Sequence, residues 1–253
     1  MNQGTAVGTY ETLFNSRGGT YDQAMRDFPH ARKHEFETLL KVADLQIGDK
    51  VCDTPSGGGY VADYITHNVH LTLLETSKVF FELSQKTRAC DSVLAKENVI
   101  PFADGHFDKI LSLAGLHHNM DKEAFFAECA RTLRPGGALC IGDVHSASGI
   151  AAFLNRFVHN YSEEGHDGHF LDEQTLIQIE NAGLHVESAE VISYPWNFNT
   201  RADLIKFSSM LFGVSRASSE NIWQNVESYV GIEEKTDIVS MNWQLYFIRA
   251  TKR

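Results

Sequence analysis

The stretch from Val51 to Tyr60 reads VCDTPSGGGY. A short apolar run ends in Asp53, glycines occupy 57, 58 and 59, and helical spacing resumes in YVADYITHN. A buried strand that runs into glycines and then a helix brings backbone N–H groups against a ligand with no side chains in the way. Alone this is a weak signal, because a tight turn needs glycine whether or not anything binds.

The flanking sequence repeats the pattern. PHARKHEFETLLKVADL, from Pro29 to Leu45, has helical spacing, with Pro29 suited to a first turn. Downstream, HLTLLE reads as a strand, SKVFFELSQKTR as a helix, DKILSLAGL as a strand and DKEAFFAECARTL as a helix capped by Asp121. Pro135 and two glycines stop that helix, and ALCIGDV supplies another strand. Alternating strands and helices imply a mostly parallel sheet covered on both faces, with ligands bound at the strand carboxyl ends. Past Val144 the alternation loosens into a helix SGIAAFLNRFVHNY, a loop GHDGHF, a helix DEQTLIQIENAG and a strand LHVESAEVIS. Thr200 to Gly213 and Ser218 to Val230 read as two helices within an insertion from Pro195 to Ser240, and SMNWQLYFIRA is the last strand.

The 253 residues fit one domain, and 43% hydrophobic with 22% charged residues is ordinary for a chain folded throughout. A formal charge of -11 works against the phosphate neutralisation that nucleic-acid binding requires. No apolar run approaches the roughly 18 residues of a membrane span, and Met1 to Tyr10 lacks the order of a signal peptide, so a cytoplasmic protein without membrane partners is expected. The sequence sets no oligomeric state. Cys52, Cys90, Cys129 and Cys140 have no C-x-x-C spacing and read as reduced, mostly buried thiols.

Glu75 closes the second strand about twenty residues after the glycine loop, where a carboxylate can accept hydrogen bonds from both ribose hydroxyls of an adenosine. Loop and glutamate together call for an adenosine-bearing ligand. The dinucleotide fingerprint is incompletely met, since Gly57 and Gly59 are followed by Ala62 where a third glycine is usual. A nicotinamide oxidoreductase therefore stands as a rival.

Four landmarks in order separate the two cofactors. VCDTPSGGGY, Glu75, IPFADGHFDKILS from Ile100 to Ser112, and the pair LHH (116 to 118) and LRPGG (133 to 137) resemble the class I S-adenosylmethionine-dependent methyltransferases. Within that family the chain looks most like the small-molecule group of ubiquinone, malonyl-carrier and trans-aconitate methyltransferases, from about Leu39 to Val144. The resemblance implies a Rossmann-like α/β fold of seven mostly parallel strands, helices on both faces and a helical insertion before the last strand. It implies one domain over 1–253, divided into an N-terminal lid (1–28), a cofactor-binding core (29–144) and substrate-side cap elements with the last strands (145–253). The implied cofactor is S-adenosylmethionine, contacted by Asp53, Thr54, Pro55, Ser56, Gly57, Gly59, Glu75, Thr76, Glu97, Asn98 and Ala114. Two positions depart from the pattern. Pro55 stands at the family's first glycine and removes a backbone donor. Lys96 stands where an aspartate usually meets the adenine, so that Glu97 takes the role or the backbone alone does.

Methyl transfer needs an aimed acceptor lone pair and, for a protonated acceptor, a base. His117, His118, Asp143 and His145 follow the fourth and fifth strands at the ligand edge, and His145 and His118 are the expected catalytic pair. His159, His166, Asp167, His169 and Asp172 match no closed metal motif, and no metal is expected. Tyr194, Trp196, Phe198, Phe207, Phe212 and Trp223 are candidates to line an apolar acceptor pocket, and Tyr10, Arg17 and Tyr21 to close a lid. The expected function is methyl transfer to a small, partly apolar metabolite. The alternatives are a non-catalytic S-adenosyl-ligand binding module and, third, the oxidoreductase.

Overall fold

In the computed structural model the described residues are 9–253. The first eight residues of the expected lid lie outside them. Strands β1 (Lys50–Asp53), β2 (His70–Glu75), β3 (Asp91–Leu94), β4 (Phe107–Leu113) and β5 (Leu133–Asp143) are joined to β6 (Leu184–Phe198), β7 (Ile232–Lys235) and β8 (Ile238–Lys252) in one sheet. Its order is β3-β2-β1-β4-β5-β8-β6, with β7 on β8. The first five strands are parallel, and β8 runs antiparallel to β5, β6 and β7. Besides the six strands read from the sequence, DSVL supplies the seventh that the resemblance implies and IEEK an eighth, each only four residues long.

Both faces of the central strands are dry, and their parity shows it. In β5, Ala138 and Cys140 enter one core while Leu139 and Ile141 enter the other, as near-continuous apolar strands of a covered parallel sheet must. The same alternation sends Leu245 and Phe247 of β8 one way and Tyr246 and Ile248 the other. Helices α2 (Lys33–Ala43), α8 (Arg201–Phe212) and α9 (Ser219–Tyr229) pack on the first face, and α4 (Lys122–Thr132) and α7 (Glu173–Asn181) on the second. Side-chain caps start four of these five: Asp121, Asp172, Thr200 and Ser218 each accept a backbone N–H of the first turn, while α2 has no such cap.

Two local expectations differ from the structure, and the expected lid takes a definite form. The glycine loop leads into only a single turn of 3-10 helix, Tyr60–Tyr64, before the chain extends at Ile65. The helix expected from Pro29 begins at Lys33, after a turn. The supposed lid is a long helix α1 (Tyr10–Asp27), capped by Thr9, that lies against α8 and α3 (Lys78–Thr87). After β5, α5 (Gly149–Ala152) widens into a π-helical segment, Phe153–Val158, and closes in α6 (His159–Tyr161).

Candidate active site

The strand order reverses direction between β1 and β4, and at that switch point the carboxyl ends of β1, β2 and β4 part to leave a cleft. The cleft has two lobes, each about 460 Å³, separated by Pro55, Tyr10 and Gly115. The first lobe is walled by Thr54, Thr76, Lys96, Glu97, Asn98 and Phe125. The second is walled by Asp53, Ser56, Gly57, Tyr60, Arg32 and Ala114. Nine of the eleven expected cofactor contacts therefore line the cleft directly.

The other two, Gly59 and Glu75, act from behind it. Gly59 has φ +73°, and a Cβ there would lie 2.5 Å from Leu73 Cδ1, so this glycine lets the turn close onto β2 rather than admitting a ligand. Glu75 is buried beneath the loop. Its Oε2 accepts from Gly57 N–H (2.6 Å) and the Tyr10 hydroxyl (3.3 Å), and its Oε1 from Thr76 and Ser77 N–H (2.9 and 2.8 Å). Burial pushes its carboxyl up to about 7 against the pull of these bonds. Asp53 is also pushed well up, by burial and then by Glu75. Among the described residues the Asp53 side chain makes no hydrogen bond, so a carboxyl group faces the second lobe unpartnered.

Pro55 is accommodated by a glycine sixty residues away. A Cβ on Gly115 would lie 2.5 Å from Pro55 Cγ, so the ring fills the place where a side chain after β4 would stand. The neighbouring donors are used in the sheet, Thr54 N–H to Leu111 O and Ser56 N–H to Leu74 O. Ala114, on the same turn, is held at φ +50°, a conformation that costs an alanine about 1–2 kcal/mol and that collects at functional sites.

Beyond Ala114 the second lobe meets a cavity of about 520 Å³. The two share Phe14, Tyr21, Arg32 and Ala114. Its walls are apolar and aromatic, with Leu154, Val158, Trp196, Phe212, Trp243 and Leu245. Trp196 and Trp243 stack at 4.2 Å, the former donating Nε1–H to Glu35, 3.0 Å away. Arg32 forms a buried pair with Glu35, and its guanidinium also reaches the Tyr21 hydroxyl. Burial works against its charge, but Glu35 more than restores it, and its pKa is raised. Of the aromatics expected in an acceptor pocket, Trp196 and Phe212 line the cavity; Tyr194, Phe198, Phe207 and Trp223 pack in the surrounding core.

The cavity also holds donors with no partner. Arg17 makes no hydrogen bond or ion pair among the described residues, and burial lowers its pKa. Trp243 Nε1 is likewise buried and unpaired. Facing them stand His117, His118 and His166. His118 is driven well below the usual histidine range by burial and then by His117 and His166, so it is neutral at pH 7.

His145 is not in this cavity. It leaves the end of β5 on the side opposite Val144, which does line the cavity, as alternation along an extended chain requires. There its Nδ1 accepts from Ala147 N–H at 3.2 Å, and its ring meets Tyr246 edge-on at 4.9 Å. The place expected for it belongs to His117, whose Nδ1 lies 2.7 Å from the buried carboxylate of Asp143. No described helix is long and apolar enough to cross a membrane.

Comparison with known proteins bears on this geometry. Residues 52–141 match a family described as a methyltransferase domain. The 27-O-demethylrifamycin SV methyltransferase of Amycolatopsis mediterranei is 29% identical over 191 residues, 71% of this chain and 70% of that protein. The ubiquinone/menaquinone biosynthesis C-methyltransferase of Francisella tularensis is 26% identical over 163 residues, 59% of this chain and 64% of that protein. For several other curated relatives the match spans only 42% to 56% of their length. Among solved structures, the YcgJ protein of Bacillus subtilis superimposes with a TM-score of 0.64 at 16% identity, covering 87% of this chain and 99% of that one, which establishes the shared fold. With the strand-order switch, the glycine loop and Glu75 in their places, residues 52–141 form a methyltransferase domain consistent with the class I S-adenosylmethionine-dependent enzymes.

Proposed function

We propose that the protein transfers the methyl group of S-adenosylmethionine to an oxygen of a small, partly apolar acceptor seated in the aromatic cavity. The observation that carries this is the junction at Ala114, where the cofactor cleft and the cavity share four lining residues. A methyl group presented from one side of Ala114 faces an acceptor on the other, which is the alignment an in-line displacement demands.

The residues divide the work. Asp53 receives the cationic amino end of the cofactor in the second lobe, and Glu75 takes the ribose once the Tyr10 hydroxyl gives up Oε2. Glu97, Asn98 and Phe125 wall the adenine end. Helix α1 is the lid, since it carries Tyr10 and Phe14 over the cleft and Arg17 into the cavity. Arg17 Nε and Trp243 Nε1, buried and without a hydrogen-bond partner among the described residues, supply donors to an acceptor that bears oxygen. Neutral His118 would take the proton of a hydroxyl acceptor as its oxygen accepts the methyl group, which the bound cofactor would supply as an electrophile with a thioether as leaving group.

Calorimetry with S-adenosylmethionine, S-adenosylhomocysteine and NAD tests the cofactor, with the first two expected to bind and NAD not. Transfer of labelled methyl to a panel of phenolic and carboxylic acceptors tests the reaction. Tight binding with no transfer to any acceptor would make the chain a non-catalytic binding module.

A further inference from the structure

The three histidines of the cavity are arranged as metal ligands are. One ring nitrogen of His117, His118 and His166 lies within 4.8 Å of one on each of the others, and two of the three rings are locked from behind. His117 Nδ1 lies 2.7 Å from Asp143 Oδ1, and His166 Nδ1 lies 2.8 Å from Asn155 Oδ1. The Asn155 amide cannot be reversed without loss, because Gly168 N–H donates to its oxygen (2.7 Å) and its Nδ2 donates to Gly168 O (3.0 Å). Both Nδ1 atoms therefore carry protons, and the Nε2 lone pairs of two buried rings are left without donors. His118 makes no ring hydrogen bond among the described residues. Asn155 itself is placed by the π-helical segment Phe153–Val158, a rare distortion that concentrates at functional sites.

We propose that His117, His118 and His166 bind a divalent transition metal ion, with Asp143 and Asn155 as the outer partners that orient two of the ligands. A carboxylate or carbonyl behind the far ring nitrogen is the usual support of a metal-bound imidazole. Three nitrogen ligands and no oxygen ligand select an ion of the zinc, cobalt or iron class over magnesium or calcium. Tetrahedral binding at bonds of about 2.1 Å needs nitrogens roughly 3.4 Å apart, a small inward rotation of the rings. The open position faces the acceptor cavity. Only the ion's role rests on the acceptor reading: with the ion bound it would polarise the acceptor oxygen, in place of the proton-accepting role that His118 has in the metal-free protein.

The competing occupant is an anion, since Arg17 lies among these rings. An anion site needs protonated imidazoles. Three imidazolium ions and a guanidinium in one enclosed cavity repel one another, whereas Asp143 offsets the charge of a bound cation.

The test uses the full chain after dialysis against chelator, titrated with Co²⁺ and followed by its visible absorption. One equivalent is expected to bind, His166→Ala and His118→Ala to weaken it at least a hundredfold, Asn155→Leu about ten- to a hundredfold, and the distant His106→Gln not at all. Circular dichroism checks each fold, and nitrogen NMR of the natural sequence with Zn²⁺, which needs no variant, should shift the Nε2 signals of three histidines together. No saturable Co²⁺ binding, equal binding in His118→Ala, or sulfate binding that Co²⁺ does not displace would overturn the proposal. Because the ion is added alone, failure leaves the cofactor reading intact.

Discussion

The cofactor cleft and the acceptor cavity meet at one alanine and are built from opposite materials. The cleft is acidic, with Asp53, Glu75 and Glu97 at or behind its walls, and most of its contacts come from loops a few residues long at three neighbouring strand ends. The cavity is basic and aromatic, with Arg17, Arg32 and three histidines, and gathers residues from α1 through β8. The difference teaches what each side is for. A sulfonium with an ammonium group suits acidic walls, and an oxygen-bearing acceptor suits unpartnered donors.

The largest expected effect tests the rigidity of the cleft. Gly59→Val places a branched side chain at φ +73° with its Cβ 2.5 Å from Leu73, so urea denaturation should show a loss of about 3 kcal/mol or more. A loss under about 1 kcal/mol would mean the loop moves freely and the comparison of a fixed cleft with an assembled cavity fails.

The acidic character of the cleft has a signature in pH. Glu75 holds its proton more tightly folded (about 7) than its ordinary value of 4.5, so its favourable contribution is complete below pH 4.5 and is lost as pH rises through 7. That amounts to about 3 kcal/mol. The stability of the ligand-free protein relative to Glu75→Gln should fall by this amount between pH 4.5 and 8. Parallel pH profiles for the two proteins would remove the buried charge from Glu75.

On the basic side, Arg17→Met should raise ligand-free stability by at most about 1 kcal/mol, because a half-buried guanidinium whose Nε has no hydrogen-bond partner among the described residues costs more than a thioether of similar reach. Methyl transfer should fall by about a hundredfold in the same variant. A less stable protein would show that Arg17 is satisfied within the fold rather than by the acceptor.

Two smaller effects sharpen the boundary. Pro55→Gly should lower stability by roughly 0.4–1 kcal/mol through the unfolded chain and leave cofactor affinity within a few-fold, whereas a tenfold gain would show that the ring obstructs the cleft. His145→Ala should change stability by less than about 0.5 kcal/mol and turnover by less than about threefold, since the ring lies outside the cavity. Comparable losses in His145→Ala and His118→Ala would return His145 to the site.

The two regions were also unequally legible in the sequence. The cleft could be read because its geometry is local: strand, glycine turn and the glutamate closing the next strand are fixed by short-range rules of backbone conformation. Even there the packing role of Gly59 is not legible, because its neighbour Leu73 comes from another strand. The cavity depends on long-range packing. His166 reaches the site through Asn155 on a π-helical segment, and no periodicity announces such a segment. The length of α1 was obscured by Gly18 and Gly19, the first of which gives room to Val79 and Phe80 of α3. One missed contact had a usable signal. His117 and Asp143 follow strands that pair in parallel, with Leu113 opposite Gly142, so their juxtaposition could be drawn from adjacency of β4 and β5 alone.

The Tyr10 hydroxyl on Glu75 has a kinetic consequence. The carboxylate that a ribose would engage is already satisfied from within, so cofactor arrival exchanges one hydrogen bond for another and adds none until α1 has moved. Association would then saturate with cofactor concentration at the rate at which the helix departs, and apparent affinity would be multiplied by the fraction of molecules that are open. Since the same helix carries Arg17 into the acceptor cavity, one motion uncovers both compartments. If α1 is the lid proposed above, the shared roof would set the order of events: cofactor first, then return of the helix with Arg17, then the acceptor in the pocket so completed.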